Sequence, residues 1–337
     1  TCALPISFRC LYDLPGGSRR FLVADEVGLG KTFVARGIIA KVVERLWDQV
    51  DRINVVYICS NLSIARQNVA SLSIGNHVAF PTRLTLLPGR VRDLQGSKLN
   101  FVSLTPRTSF NQGTCLGVAP ERALLYAMLE KAWGLSGVGP KKLLQGNVTE
   151  LWTFEWHISR VTHIDPSLQE SFERALHWHV RDEQAKGHDD IRARFEALAR
   201  RFSNRVHLPY DIRCERNGII GELREILAGA CVTALEPDLV ILDEFQRFKH
   251  LLRDDNPAGL LAQPLFDYSD ETTAARVLLL SATPYKMYTL HQEQSDDDHY
   301  RDFLDTACFL LNDPGRYALA KSLLERFRRE IYHIDQG

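Results

Sequence analysis

Six short apolar, β-rich runs punctuate the chain: Phe21–Ala24, Ile53–Cys59, Leu84–Leu87, Leu99–Leu104, Leu239–Leu242 and Val277–Leu280. Several are apolar at nearly every position instead of alternating with polar residues. A strand reads that way when both its faces are covered, as in a parallel sheet flanked by helices. Helical patterns follow two of the runs, over Thr32–Val50 and Leu62–Leu72. Strand then helix, repeated, predicts a doubly wound α/β fold.

Between residues 115 and 235 the strand runs vanish. Ile191, Phe195, Leu198 and Phe202 recur there at helical spacing, as do Ile219, Leu223 and Ile226. Strands resume afterwards, so 115–235 is expected to be a large helical insertion. Trp133, Trp152, Trp156 and Trp178 fall within it. Core packing of the insertion is their expected role, with a base-stacking surface as the alternative.

The 337 residues carry 41 Lys+Arg against 42 Asp+Glu, with 45% apolar and 25% charged residues. That balance excludes disordered, collagen-like and disulfide-scaffold chains, and global charge says nothing about partners. No apolar run approaches the ~18 residues of a membrane span, and no signal peptide is visible. Seven widely spaced cysteines without a C-x-x-C pair read as reduced thiols, which points to a cytoplasmic protein without a zinc site. His177 and His179 flank Trp178 but lie two apart on a helix, so they read as ordinary histidines. Residues 1–10 begin without Met and read unlike the rest. They are set aside as an unreliable or disordered terminus, and the chain is expected to be a fragment.

Asp25-Glu26-Val27-Gly28-Leu29-Gly30-Lys31-Thr32 follows the first strand run and opens a helix. It matches G-x-x-x-x-G-K-[ST] except that Asp25 holds the first Gly position. Gly28 and Gly30 let backbone N–H groups turn toward a phosphate, with Glu26, Val27 and Leu29 completing the loop. The helix start adds its positive dipole end. Lys31 would reach the β- and γ-phosphates of a nucleotide, and the Thr32 hydroxyl would ligate Mg²⁺. A second element, Leu239–Leu242 followed by Asp243, Glu244, Phe245 and Gln246, ends an apolar strand in two acids. Asp243 would hold Mg²⁺ and Glu244 would orient or deprotonate water, given a phosphate loop on a neighbouring strand. A third run ends in Ser281-Ala282-Thr283.

In this order the three elements resemble motifs I, II and III of the first RecA-like, P-loop NTPase lobe of superfamily-two helicases and translocases. The DE-x-GLGKT form is similar to that of Swi/Snf-type translocases and related bacterial helicase-like proteins. The resemblance implies an ATP-hydrolysing motor on nucleic acid, leaning toward double-stranded DNA. It implies coupling roles for Gln246, Ser281 and Thr283. It implies nucleic-acid contacts at Ser60, Asn61 and Ser63 after the second strand run, and at Thr105 and Arg107 after the fourth. Arg83, Arg90, Arg92, Lys98 and Arg107 against one Asp93 fit such a track, or else a solvated basic loop.

The expected division is 11–114 with 236–290 as the ATP-binding lobe, 115–235 as the insertion, and 291–337 as a C-terminal helical extension. The resemblance implies a second RecA-like lobe beyond residue 337, because no Q-x-x-G-R-x-x-R stretch occurs. The insertion could dock protein partners. Asp296-Asp297-Asp298 reads as a solvated acidic loop. Two alternatives stay open: a nucleic-acid-binding scaffold retaining ATP as a structural ligand, and an ATPase acting on protein complexes.

Overall fold

The computed structural model describes residues 3–14, 16, 18–24, 30–72, 78–81, 83–111, 116–202, 209–271, 273–281 and 296–334. The first part of the chain runs α1 (Ala3–Phe8), β1 (Arg20–Ala24), α2 (Lys31–Leu46), β2 (Ile53–Ile58), α3 (Leu62–Leu72) and β3 (Val78–Pro81). A 3-10 helix at Leu84–Gly89 and α4 (Val91–Gln95) lead to β4 (Leu99–Leu104) and α5 (Pro106–Ser109). Six helices follow: α6 (Ala119–Trp133), α7 (Val138–Gln145), α8 (Leu151–Ser159), α9 (Pro166–Ala185), α10 (Ile191–Phe202) and α11 (Tyr210–Thr233). The chain then returns to the sheet through β5 (Leu239–Asp243), a 3-10 segment at Phe245–Leu252, α12 (Pro257–Phe266) and β6 (Arg276–Ser281). It continues into α13 (Asp296–Leu311) and α14 (Pro314–Ile334).

The six strands form one sheet in the order β1-β6-β5-β2-β4-β3, and every pairing is parallel. Side chains alternate between two cores. Val55 and Tyr57 of β2, Phe101 of β4, Ile241 of β5 and Leu278 of β6 meet Ile38 and Val42 of α2 and Val69 of α3. On the opposite face Val56, Val102, Val240 and Leu279 meet Leu125 of α6, Ile220 and Leu223 of α11, and Leu261 of α12. Both faces of each central strand are therefore apolar, which is why those runs lack alternation. The helices between β4 and β5 share one continuous hydrophobic cluster with the sheet. They are the covering layer of that face.

Five of the six expected strands form. The run Leu84–Leu87 instead lies in the 3-10 helix, with Leu84, Thr85, Leu87 and Pro88 buried. A short apolar run cannot be told from a buried helical turn by periodicity, and Pro88 could not donate to a ladder. The sixth strand is β3, four residues long at the sheet edge and ending in Pro81, where a missing N–H is tolerated. Residues 3–8, set aside on sequence grounds, are helical, and Leu4 and Phe8 pack against the core beneath α2. Asp296, Asp297 and Asp298 open α13 and do not form a loop. Carboxylates in a first helical turn oppose the positive end of the dipole.

Candidate functional site

β1, β6 and β5 are consecutive and parallel, so their C-terminal ends share one sheet edge. Ala24 is in register with Ser281, and Asp243 with Leu280. With parallel strands ~4.8 Å apart, Asp243 stands two strands, roughly 10 Å, from the end of β1. The acid strand was expected beside the phosphate-loop strand; β6 lies between them. The chain leaving β1 covers one face through α2, and the chain leaving β5 covers the other through Phe245, Phe248 and α12. Opposite departures of this kind open a crevice at the C-terminal edge, where ligands of α/β sheets sit.

Gly30 caps α2 in the left-handed region, with φ 88° and ψ 26°. Its carbonyl accepts from the N–H groups of Phe33 (2.9 Å) and Val34 (3.1 Å), which starts the helix. Lys31 is half-buried and Thr32 exposed in the first turn. First-turn N–H groups and the dipole make this end of a 16-residue helix favourable for an anion. Glu26, Val27, Gly28 and Leu29 lie outside the described residues, as do Thr283 and the side chain of Ser63.

Asp243 ends β5 half-buried. Its Oδ2 accepts from the Tyr57 hydroxyl and, at 3.2 Å, from Asn68 Nδ2. Asn68 also donates to the Tyr57 oxygen at 2.9 Å, which ties β2, β5 and α3 together. Burial, and then the charge of Asp243, push the Tyr57 phenol far above its ordinary value, so it serves as a neutral donor. Glu244 follows in a left-handed conformation, φ 53° and ψ 39°, which costs a non-glycine residue ~1–2 kcal/mol. Such strain persists only where the surroundings impose it, and it gathers at functional positions. The Glu244 carboxylate pairs with Arg247 at 2.9 Å. Gln246 is half-buried, and its Oε1 is sealed from solvent with no hydrogen-bond partner among the described residues. Ser281, at the end of β6, is buried.

β2 and β4 extend the same edge past β5. Ser60 is half-buried and Asn61 exposed after β2. Burial pushes the preceding Cys59 thiol up to about 11, and the charges of Asp243 and Glu244 add to the effect. Cys59 donates to the Asn61 carbonyl at 3.1 Å. After β4, Thr105 is buried with its hydroxyl against that of Thr108 at 2.6 Å, whereas Arg107 is exposed. The expected basic track from Arg83 to Arg107 is dispersed. Arg83 pairs with buried Glu121, and Lys98 sits before β4, at the opposite end of the sheet, against Trp47 and the Val50 carbonyl.

Sequence reading passed over Tyr57 and Asn68. A lone phenol in the otherwise apolar tail of β2 is the single hint, and the pairing with Asp243 depends on a contact 186 residues apart. The tryptophans also differ from expectation. Trp152, Trp156 and Trp178 are 69%, 51% and 67% exposed, and only Trp133 packs inward, against Phe195. His179 meets Glu183 and Glu222 within 4.8 Å, but Arg194 bonds both carboxylates, at 2.6 and 2.9 Å. The guanidinium already supplies the positive charge there, so the group is an ion-pair network between α9, α10 and α11. Among the described residues, no helix is long and apolar enough to cross a membrane. No family model, no curated protein and no solved structure matches this chain.

Proposed function

We propose that the chain is the ATP-binding lobe of a nucleic-acid-dependent ATPase of the helicase and translocase type. The observation that carries this reading is the shared sheet edge. It joins the left-handed Gly30 turn and the N-terminus of α2 to Asp243 and the strained Glu244, with Ser281 between them.

The donor set suits Mg²⁺-ATP. Lys31 and the first-turn N–H groups of α2 favour a polyphosphate. The Thr32 hydroxyl and the Asp243 carboxylate are hard oxygen ligands of the kind Mg²⁺ prefers. When bound, Mg²⁺-ATP supplies a phosphoryl group whose charge is partly neutralised for attack by water. Glu244 orients or deprotonates that water. Gln246, whose Oε1 has no partner among the described residues, and Ser281 sense the nucleotide from the middle of the edge. Nucleic acid, duplex DNA by the form of the loop, runs past Ser60, Asn61 and Arg107 further along. A second lobe completes hydrolysis with arginine side chains, which are worth on the order of a thousandfold or more in rate.

The test is titration with a fluorescent ATP analogue, with and without Mg²⁺, in the wild type and Lys31→Ala. Saturable, Mg²⁺-strengthened binding that weakens at least tenfold in Lys31→Ala is expected. Equal binding by the two proteins, or none by the wild type, rejects the phosphate site. Repeating the titration with duplex DNA present tests the partner, because coupled sites shift one another's affinity reciprocally. An ATP affinity indifferent to DNA and RNA rejects the motor reading.

A further inference from the structure

A second cavity, of about 350 Å³, opens on the helical layer between the 3-10 helix Leu84–Gly89, α6 and the end of α8. That volume sits at the small end of the roughly 300–1,000 Å³ range of small-ligand sites. Its lining joins Arg90, Trp156, His157, Arg160 and His163 to an apolar floor that includes Leu124, and none of the described lining residues is Asp or Glu. The whole chain balances acids and bases, so a concave wall that sets two arginines beside an indole over an apolar floor favours an anion that carries a ring.

The geometry is built. Arg160, four residues after Trp156, places its guanidinium 5.0 Å from the ring centroid. The His157 ring meets the same indole edge-on at 4.9 Å. Beside the lining residues Gly89 and His163, the Asp165 N–H donates to the Pro88 carbonyl at 2.9 Å. His163 Nε2 is shielded from solvent and has no hydrogen-bond partner among the described residues. Trp156 itself is 51% exposed, an unusual expense of apolar surface for a ring that only packs.

We infer that this cavity binds a nucleotide unit, with the base against Trp156 and the phosphate held by Arg160 and Arg90. Aromatic faces beside a cationic groove are how single strands are gripped without sequence preference, and guanidinium groups suit phosphate by charge and shape. Arg90 also pairs with Asp93 at 3.4 Å in an exposed contact. The larger cavity, of about 670 Å³, by Trp178 is a weaker candidate, because Glu170 and Glu173 line it beside Arg174 and Arg181. The unit has two possible sources, a free mononucleotide or one residue of a strand. The inference stands apart from the ATP site.

The experiment therefore uses the full chain carrying Lys31→Ala, which removes the proposed phosphate site from the readout. One arm titrates 5′-UMP. The other titrates an eight-residue oligothymidylate bearing 4-thiothymidine, followed by photocrosslinking and peptide mapping. Crosslinks within residues 151–163, lost in Trp156→Leu and in Arg160→Glu but kept in Trp152→Leu, establish a strand site. Affinity should fall on the order of tenfold in Trp156→Leu. Saturable 5′-UMP binding with the same pattern of losses establishes a free-nucleotide site. Both altered side chains are largely exposed, and circular dichroism checks that the variants fold. Binding of both probes unchanged in Trp156→Leu and Arg160→Glu, or crosslinks only outside 151–163, overturns the inference.

Discussion

The Tyr57 hydroxyl of β2 donates a hydrogen bond to the Asp243 carboxylate at the end of β5, and Asn68 of α3 donates to both. The carboxylate proposed to hold Mg²⁺ is thus aimed by a helix that begins beside Ser60 and Asn61, the proposed nucleic-acid contacts. Tyr57→Phe keeps the ring and removes the aim. Loss of an outer hydrogen bond to a metal ligand typically costs 10–100-fold in metal affinity. The variant should need about tenfold more Mg²⁺ to reach half of its Mg²⁺-dependent nucleotide binding, while metal-free binding stays the same. A Mg²⁺ titration of fluorescent ATP binding reads both. An unchanged Mg²⁺ midpoint would mean that the phenol only fills space.

Buried charge in the helical layer makes a separate prediction about stability. Glu121 is fully buried and pairs with buried Arg224 at 2.8 Å, with Arg83 at 3.2 Å and with the Thr85 hydroxyl at 2.6 Å. Arg122 and Arg216 lie near it, and their charges are met by carbonyl groups and amide oxygens, including Leu144, Gly117, Gly146 and Asn217. Burial first, then repulsion from Arg216, lowers Arg122 to about 10. One carboxylate therefore balances several arginines. Removing one partner of a buried pair costs about 3–5 kcal/mol because the other stays charged and unpaired. Glu121→Gln should lose stability on that scale in urea unfolding. Glu196→Gln, which breaks the exposed pair with Arg192, should lose less than ~0.5 kcal/mol. Similar losses in the two variants would contradict the role given to Glu121.

How far the chain could be read in advance follows from where each signal resides. β2, β4, β5 and β6 were legible because burial on both faces writes itself into consecutive residues. β3 was not, since four residues on an edge need little apolar content. Leu84–Leu87 misled because helix and strand bury such a run equally well. At the site, Lys31, Thr32, Asp243 and Glu244 stand out through local pattern. Tyr57 meets Asp243 across adjacent strands and Asn68 reaches it from α3, contacts that no local pattern records. The three exposed tryptophans failed expectation for the same reason, as hydrophobicity gives a tendency to bury and packing decides which ring finds room.

Asp238 should make stability fall as pH rises. It is buried at the start of β5 and accepts the Asn54 N–H at 2.9 Å. Burial first, with Asp270 and Glu236 adding repulsion, raises it from 3.8 to about 6. Below the lower value the folded and unfolded chains are both protonated there, and burial of the neutral acid carries no charge penalty. Between the two values the unfolded chain releases the proton first, so unfolding is favoured increasingly as pH rises. Above about 6 the penalty is complete and amounts to about 3 kcal/mol. Asp238→Asn keeps an acceptor for Asn54 and cannot ionise. Urea unfolding at pH 4 to 7 should show a decline in the wild type that the variant lacks, and parallel profiles would refute the assignment.

Gly30→Ala separates the geometry of the proposed phosphate turn from the stability of the fold. Among the described residues, a Cβ at Gly30 would meet Phe33 Cδ2 at 3.6 Å, an ordinary contact. The obstacle is the φ of 88°, which an L-residue adopts at a cost of ~1–2 kcal/mol. The sheet and the remainder of α2 can absorb that cost, and global stability should fall by about 1 kcal/mol. The first turn should relax toward a right-handed conformation, carrying Lys31 and the N–H groups out of line with a bound phosphate. Nucleotide affinity should then drop at least tenfold, more than the change in stability implies. Gly218→Ala, in the middle of α11, is the control. A Cβ there would have no neighbour within 4 Å and φ is helical, so affinity should stay unchanged and stability rise slightly. Titration of a fluorescent ATP analogue alongside urea unfolding gives both quantities. Equal affinity in Gly30→Ala and the wild type would show that the left-handed turn does not shape an anion site.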